Sequence, residues 1–273
     1  MNLLAFDTST DVMSMAVSRW VDGAPRIWQI EGPGGALASS GLIQGLLDLL
    51  KEADIALKSL DAICFGSGPG SFTGLRTACS VAQGLAFGAE LPVLPIPSLL
   101  AVAEEARYRA LPQHQAVKII ALLDARMDEM YGASYQFDGK SWTEIQAPSL
   151  LSPAGLDLWE SAHSTRCDAW AGNVFKVYAD RLPVDGRTPR VTALPTASAM
   201  LRLAPGLIAA GSRVAADQAM PIYIRDKVAK TTEERAVEKA DKAEKIRLTA
   251  SDSHHAWIHY AAKKPHTSNR SAL

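Results

Sequence analysis

Two stretches of this 273-residue sequence carry side chains that could meet a phosphorylated ligand. The first is Asp7-Thr8-Ser9, which closes the apolar run 3–7. A carboxylate at a strand end, followed by hydroxyls, can hold a metal-bound phosphate. An Asp in such a turn can equally do no more than order its own backbone through its side chain. The second is Gly68-Pro69-Gly70-Ser71-Phe72-Thr73-Gly74-Leu75-Arg76, between a predicted strand and a predicted helix. Gly68 and Gly70 let the backbone pass close to a ligand, and a helix beginning after Ser71 would turn unpaired N–H groups toward an anion. No Gly-Lys-Ser/Thr follows, so this is not a Walker loop, and the spacing is not that of a dinucleotide fingerprint. The plain alternative is a tight strand-to-helix turn with Ser71 as its cap.

Other chemistry-bearing residues give weaker signals. His255 and His259 have an i, i+4 spacing that on a helix would suit a metal, but they lack an obvious carboxylate partner and read as incidental. Glu104-Glu105 reads as a solvated helix face rather than an acid/base pair. Asp124, Arg126 and Glu129 cluster at a strand end, either as a local ion-paired turn or as part of a cleft or partner surface. Cys64, Cys79 and Cys167 are too few and scattered for a disulfide framework or a zinc site, which fits a reducing cytoplasm. A formal net charge of −1 gives no overall pull toward a phosphate backbone, and basic clusters are as short as Lys263-Lys264. An RNA substrate would have to be gripped mainly by another chain.

The elements that would position these residues follow from periodicity. Residues 3–7, 12–17 and 26–31 predict three strands, 39–51 a helix, 61–65 a strand, 72–88 a helix and 92–96 a strand, with a helix from Leu99 capped by Ser98. The order β-β-β-α-β-α-β-α describes one α/β lobe. From Val117 the pattern restarts: strands 117–123, 130–137 and 142–147, a helix opened by Pro153, a strand 168–172 and a helix 197–210. The similar openings predict a duplicated, two-lobed α/β fold with mixed sheets. Its lobes are 1–110 and 111–228, followed by a charged helix and flexible tail over 229–273. Hydrophobic residues at 48% and charged residues at 21% suit a globular chain. No apolar run reaches the ~18 residues of a membrane span, and no basic region precedes the first apolar run as in a signal peptide. A soluble, cytoplasmic protein without membrane contact is the expectation.

Two helix faces have an unusual composition. In the first helix, Leu42, Ile43, Leu46, Leu47, Leu49 and Leu50 cover a wider arc than the ~100° of one core-facing stripe. In the second, Leu75, Ala78, Cys79, Ala82, Leu85 and Ala86 share the core-facing arc, while Thr73, Thr77, Ser80, Gly84 and Gly88 lie opposite. Arg76 is the single charged side chain of that helix. An ordinary surface helix would carry Lys and Glu there; small residues instead allow another helix to approach. The composition predicts a helix-on-helix partner interface built from Leu42, Ile43, Leu46, Leu47, Leu50, Thr73, Arg76, Thr77, Ser80 and Gly84.

Residues 68–76 resemble the GPGSFTGLR signature of the TsaB (YeaZ) family. Phe6-Asp7-Thr8-Ser9 precedes it, and Leu123-Asp124-Ala125-Arg126-Met127 with Glu129 and Tyr131 follows. Gly172-Asn173 and Pro221-Ile222-Tyr223-Ile224-Arg225-Asp226 with Val228-Ala229 complete the order over residues 2–229. The resemblance implies an actin/hexokinase-like (ASKHA) fold, in which an Asp followed by hydroxyls in a hairpin turn is how active relatives approach nucleotide phosphates. It implies a non-catalytic partner and activator of a TsaD-type transferase in threonylcarbamoylation of adenosine next to the anticodon of tRNA. A TsaE-type ATPase would join the complex, with threonylcarbamoyl-adenylate supplied by a TsaC-type enzyme. The chain would form a homodimer when alone and meet tRNA only through the complex. It would have no metal and no cofactor of its own, with ATP or ADP held weakly or shared in the complex, and Asp7, Thr8, Ser9, Gly68, Gly70 and Ser71 would be a vestigial phosphate site.

Departures from active relatives point the same way. Where the catalytic paralogue has a His-x-x-x-His metal pair, residues 97–105 hold no histidine. The nearest counterpart of the adenine-binding Gly-Gly turn is Ala171-Gly172-Asn173, and Ala38 stands where many members have a His. The competing readings are an ATP-dependent phosphotransferase or a metallopeptidase of the same superfold, and, third, a direct RNA binder.

Overall fold

Side chains alternate across strand β1 (Leu3–Asp7), with Leu3 and Ala5 in one apolar layer and Leu4 and Phe6 in another, so the strand is covered on both faces. It is the middle strand of a sheet completed by β2 (Val12–Val21), β3 (Ala24–Pro33), β4 (Ala62–Gly68) and β5 (Val93–Pro97), in the order β3-β2-β1-β4-β5. The expected pairing is present: β1 runs antiparallel to β2, with Asp7 opposite Ser14, and parallel to β4. These positions come from a computed structural model that describes residues 1–162, 167–182 and 188–225. Helices α1 (Ala38–Glu52) and α2 (Phe72–Ala89) cover the Leu4/Phe6 face.

The second sheet repeats the first. Strands β6 (Val117–Arg126), β7 (Glu129–Phe137), β8 (Trp142–Leu151), β9 (Ala169–Gly172) and β10 (Arg190–Thr192) lie in the order β10-β9-β6-β7-β8, the same arrangement read from the other edge. Ile119, Ala121 and Leu123 of β6 face one layer and Ile120 and Leu122 the other, as in β1. Two lobes of mixed α/β structure with one repeated topology make this the two-lobed fold expected. Strand β10 and the short helix α5 (Val174–Val177), which follows α4 (Leu156–Ala162), were not expected from the sequence.

The helices between the sheets are exchanged. Helix α3 (Ser98–Ala110) follows the first sheet in the chain but packs chiefly on β6, β7 and β9 of the second; α6 (Ala197–Ala209) follows the second sheet but packs on β1, β2, β4 and β5 of the first. One apolar layer, from Leu3 and Leu94 through Leu99 and Met200 to Ile119 and Ala121, therefore joins both sheets. After α6 the chain returns along the first sheet, where Val214 exchanges backbone hydrogen bonds with Val93 (2.9 and 2.8 Å) and Ile222 N–H donates to the Ser67 carbonyl (2.7 Å). Residues Met1–Ile224 form one compact unit. The predicted 229–273 helix and tail, with His255 and His259, lie outside the described residues.

Two expectations about α3 need correction. Ser98 does not cap the helix: it is the first helical residue, and its hydroxyl donates to Asp7 instead. Glu104 and Glu105 are not a solvated face but are 3% and 7% exposed. Buried carboxylates persist only when paired, and these two are gripped by Arg107, Arg202, Trp142 and Thr196.

Candidate functional site

Asp7 stands at the C-terminal end of the central strand, and the turn that follows folds back over its carboxylate. Oδ1 accepts from Ser9 N–H (2.7 Å) and Ser9 Oγ–H (2.6 Å); Oδ2 accepts from Ser98 Oγ–H (2.7 Å) at the start of α3. The Gly66 backbone closes the remaining side, for a Cβ at that position would run into Oδ2. Asp7 has no exposed surface. Burial raises its pKa above the usual carboxylate range, and the hydrogen bonds from Ser9 and Ser98 offset only part of that.

The glycine loop is brought against this turn, so Asp7, Thr8, Ser9, Gly68, Gly70 and Ser71 do assemble in space. They satisfy one another. Thr8 Oγ1–H donates to the Gly74 carbonyl (2.7 Å), and the Ser71 N–H, a group a bound anion would want, donates to the Ser9 carbonyl (2.7 Å). Ser71 is the N-cap residue of α2, as the plain alternative had it, but its hydroxyl makes no capping bond. Gly74 is required because a Cβ there would meet the Thr8 carbonyl oxygen. Gly68, at φ +106°, faces the Ile222 carbonyl and Leu75, so residues after α6 seal the loop from the far side.

The state of Asp7 gives a pH prediction. Because its folded pKa is raised, the stability it permits is fully present below its unfolded pKa and is lost as the pH rises through the folded value. Asp7→Asn cannot ionise. Its melting temperature, relative to the parent, is expected to climb as the pH is raised from the usual carboxylate range toward neutrality and above, each recovered kcal/mol being worth ~2–4 °C. Thermal melts across that range check it; a difference that stays flat or falls would mean that the carboxylate is charged and well satisfied in the fold.

In the second lobe Asp124 orders the hairpin between β6 and β7. Its Oδ1 accepts from Arg126 N–H (2.8 Å) and Tyr178 O–H (2.6 Å), and its own N–H donates to Asn173 Oδ1 (2.8 Å). Arg126, Met127 and Asp128 all have positive φ in this turn. Arg126 also reaches Asp11, in the equivalent turn of the first lobe, at 3.1 Å with both side chains exposed. The cluster is thus a local turn and a bridge between lobes at once. Gly172 is explained by packing, since a Cβ would run into the Leu122 carbonyl. Among the described residues, no group of three or more His, Cys, Asp or Glu is placed to hold a metal ion.

The predicted partner face divides on inspection. Leu42, Leu46 and Leu50 are buried in the first lobe's own core and are not available to a partner, which corrects that part of the expectation. Ile43 (50% exposed) and Leu47 (45%) do reach the surface of α1. On α2, Thr73, Arg76, Ser80 and Gly84 are exposed and Thr77 is half-buried. A groove of about 470 Å³ runs between Ser39 of α1 and Phe72, Thr73, Arg76, Thr77 and Ser80 of α2. Arg76 lies over the Phe72 ring (3.9 Å) and donates from Nε to Tyr223 Oη (3.2 Å). Phe87, 82% exposed, extends the 73-77-80-84 stripe by one step of the same spacing, a signal present in the sequence.

The family model described as "TsaD: tRNA N6-adenosine threonylcarbamoyltransferase" matches residues 39–263. The chain is 32% identical to the tRNA threonylcarbamoyladenosine biosynthesis protein TsaB of Escherichia coli, over 84% of this chain and 96% of that one. It is 31% identical to the protein of the same name from Haemophilus influenzae, over 84% and 95%. Among solved structures, YeaZ from Pseudomonas aeruginosa is 35% identical and superposes with a TM-score of 0.67, covering 81% of this chain and 99% of that one.

Proposed function

The chain belongs to the TsaB (YeaZ) family, and on that premise we propose that it serves tRNA threonylcarbamoyladenosine biosynthesis as a non-catalytic partner and activator of the TsaD-type transferase. The observation that carries the non-catalytic part is the sealed carboxylate of Asp7. In a fold where this position would approach phosphate and metal, the chain's own Ser9, Ser98 and Gly66 occupy the approaches. A group with no exposed surface and three internal donors is a poor ligand for anything arriving from solution. The partner part rests on the α1/α2 face, where apolar and small side chains replace the usual surface charges around a single Arg76. The complex would include a TsaE-type ATPase, reach tRNA through its other subunits and work in the cytoplasm. When alone, the chain would pair with a second copy through the same face.

The test is reconstitution. The purified chain alone is expected to transfer no threonylcarbamoyl group to tRNA and to hydrolyse neither ATP nor peptides. Added to the TsaD-type paralogue with TsaE-type ATPase, threonylcarbamoyl-adenylate and tRNA, it is expected to raise transfer strongly, and Asp7→Asn should do so as well as the parent. Turnover by the chain alone that disappears in Asp7→Asn would overturn the reading.

A further inference from the structure

The two helices between the sheets belong mechanically to different bodies. Helix α6 is fixed to the first sheet: it packs on all five of its strands, and its first turn is tied down where Ser14 Oγ of β2 accepts the Ala197 N–H (2.9 Å). Helix α3 is anchored to the first sheet at its first residue, where Ser98 donates to Asp7, but along its length it packs chiefly on the second: Glu104 Oε2 accepts Trp142 Nε1–H of β8 (3.0 Å), and the Arg107 guanidinium lies over the Phe137 ring of β7 (4.5 Å). A change in the angle between the lobes therefore requires α3 to slide or roll on α6. The apolar side chains brought to this layer mix small and large: Ala101, Ala103 and Ala106 with Leu99 and Val102 from α3, and Ala197 and Ala204 with Met200 and Leu203 from α6. Apolar contacts are non-directional, and a small shift between such surfaces costs far less than leaving an ion unpaired.

Polar side chains at α6 cross that seam to two carboxylates of α3, and Arg202 makes the charged contacts. Arg202 of α6 donates from Nε to Glu104 Oε1 (2.8 Å) and from Nη2 to Glu105 Oε2 (2.6 Å), spanning two adjacent carboxylates of α3. Arg107 holds Glu104 from its other side with two bonds of 2.9 Å each, and Thr196 Oγ1–H reaches Glu105 (2.9 Å). The Arg202 guanidinium also lies over the Tyr108 ring (4.1 Å). A buried, saturated ion-pair cluster adds little net stability over an apolar one, but it penalises every arrangement that leaves a charge unpaired. Its best-attested use is to fix register.

We infer that Arg202, clasped by Glu104 and Glu105, is a lock that sets the register of α3 on α6 and so holds the two lobes at one angle. The fold has the parts of a hinge, two helices each packed chiefly on a different sheet, and this cluster removes the freedom. The inference stands independently of what the chain activates.

The experiment measures the angle directly. Spin labels are placed on cysteines introduced at exposed Lys58, beside the first sheet, and Lys140, in the β7–β8 turn; the native Cys64, Cys79 and Cys167 are buried. The parent is expected to give one narrow distance distribution, and Arg202→Met a broadened or split one. Arg202→Lys, which keeps the charge but cannot span both carboxylates, should fall between them. If Arg202→Met does not fold, the charge-balanced variant Glu104→Gln/Glu105→Gln/Arg202→Met takes its place, because it leaves no unpaired ion. A parent distribution that is already broad, or a folded variant with the parent's distribution, overturns the lock.

Discussion

Gly84→Arg is expected to leave a folded chain that neither pairs with a second copy nor activates the transferase. The structure separates folding from association at this position. Nothing lies within 4 Å of a Cβ built at Gly84, and the residue is exposed in the middle of α2. Arginine is also the better helix former by ~0.8–1 kcal/mol, so the isolated chain should lose no stability. In a contact across this face, the same side chain would bury an ion without a partner, at a cost of several kcal/mol. At ~1.4 kcal/mol per tenfold change, association should weaken by roughly a hundredfold or more. Sedimentation of the isolated chain and the reconstituted transfer assay read the two consequences separately. If the variant associates and activates like the parent, the interface lies elsewhere on the molecule.

The fold was legible where the physics is local. Alternating or continuous apolar runs announced β1, β2, β4 and β6, because strands covered on both faces must be apolar along their length. β10 escaped because three residues, Arg190-Val191-Thr192, carry no period, and only the neighbouring β9 makes them a strand. The site was legible as a list of residues and misleading as chemistry. Asp7, Thr8, Ser9 and the glycine loop do come together, but their types are the same whether they bind phosphate or one another.

What the sequence hid was the long-range polar partner. Ser98 looked like a helix cap because nothing nearby reveals that Asp7, 91 residues earlier, claims its hydroxyl. Glu104-Glu105 looked solvated because adjacent acids usually are; the partners that make burial tolerable are Trp142, 38 residues on, and Arg202, 98 residues on. Leu42, Leu46 and Leu50 were assigned to a partner because the apolar arc was wide. Only the packing of α1 on β2 and β3 shows that those three are covered already and that Ile43 and Leu47 are the surplus.

Two glycines of one helix test whether the signature loop is a matter of packing. Gly→Ala in an exposed helix interior stabilises by ~0.5–1 kcal/mol, because the glycine backbone loses more entropy on folding. Gly84→Ala should show that gain, since the new methyl meets nothing. Gly74→Ala makes the same chemical change ten residues earlier and should have the opposite sign. There the methyl would meet the Thr8 carbonyl oxygen, which is backbone at the end of the central strand and cannot rotate away. Nor can the helix back off freely, because the Gly74 carbonyl accepts the Thr8 hydroxyl at 2.7 Å and Ser71 N–H holds Ser9. Overpacking of a rigid contact costs ~1–3 kcal/mol and occasionally more; with backbone on one side and two anchoring bonds on the other, the upper end is expected. Urea unfolding of both variants gives the sign directly, with the midpoint rising for Gly84→Ala and falling for Gly74→Ala. Were Gly74→Ala tolerated as well as Gly84→Ala, the close approach of helix to turn would not be what demands glycine there, and a ligand contact at the loop would again have to be considered for that residue.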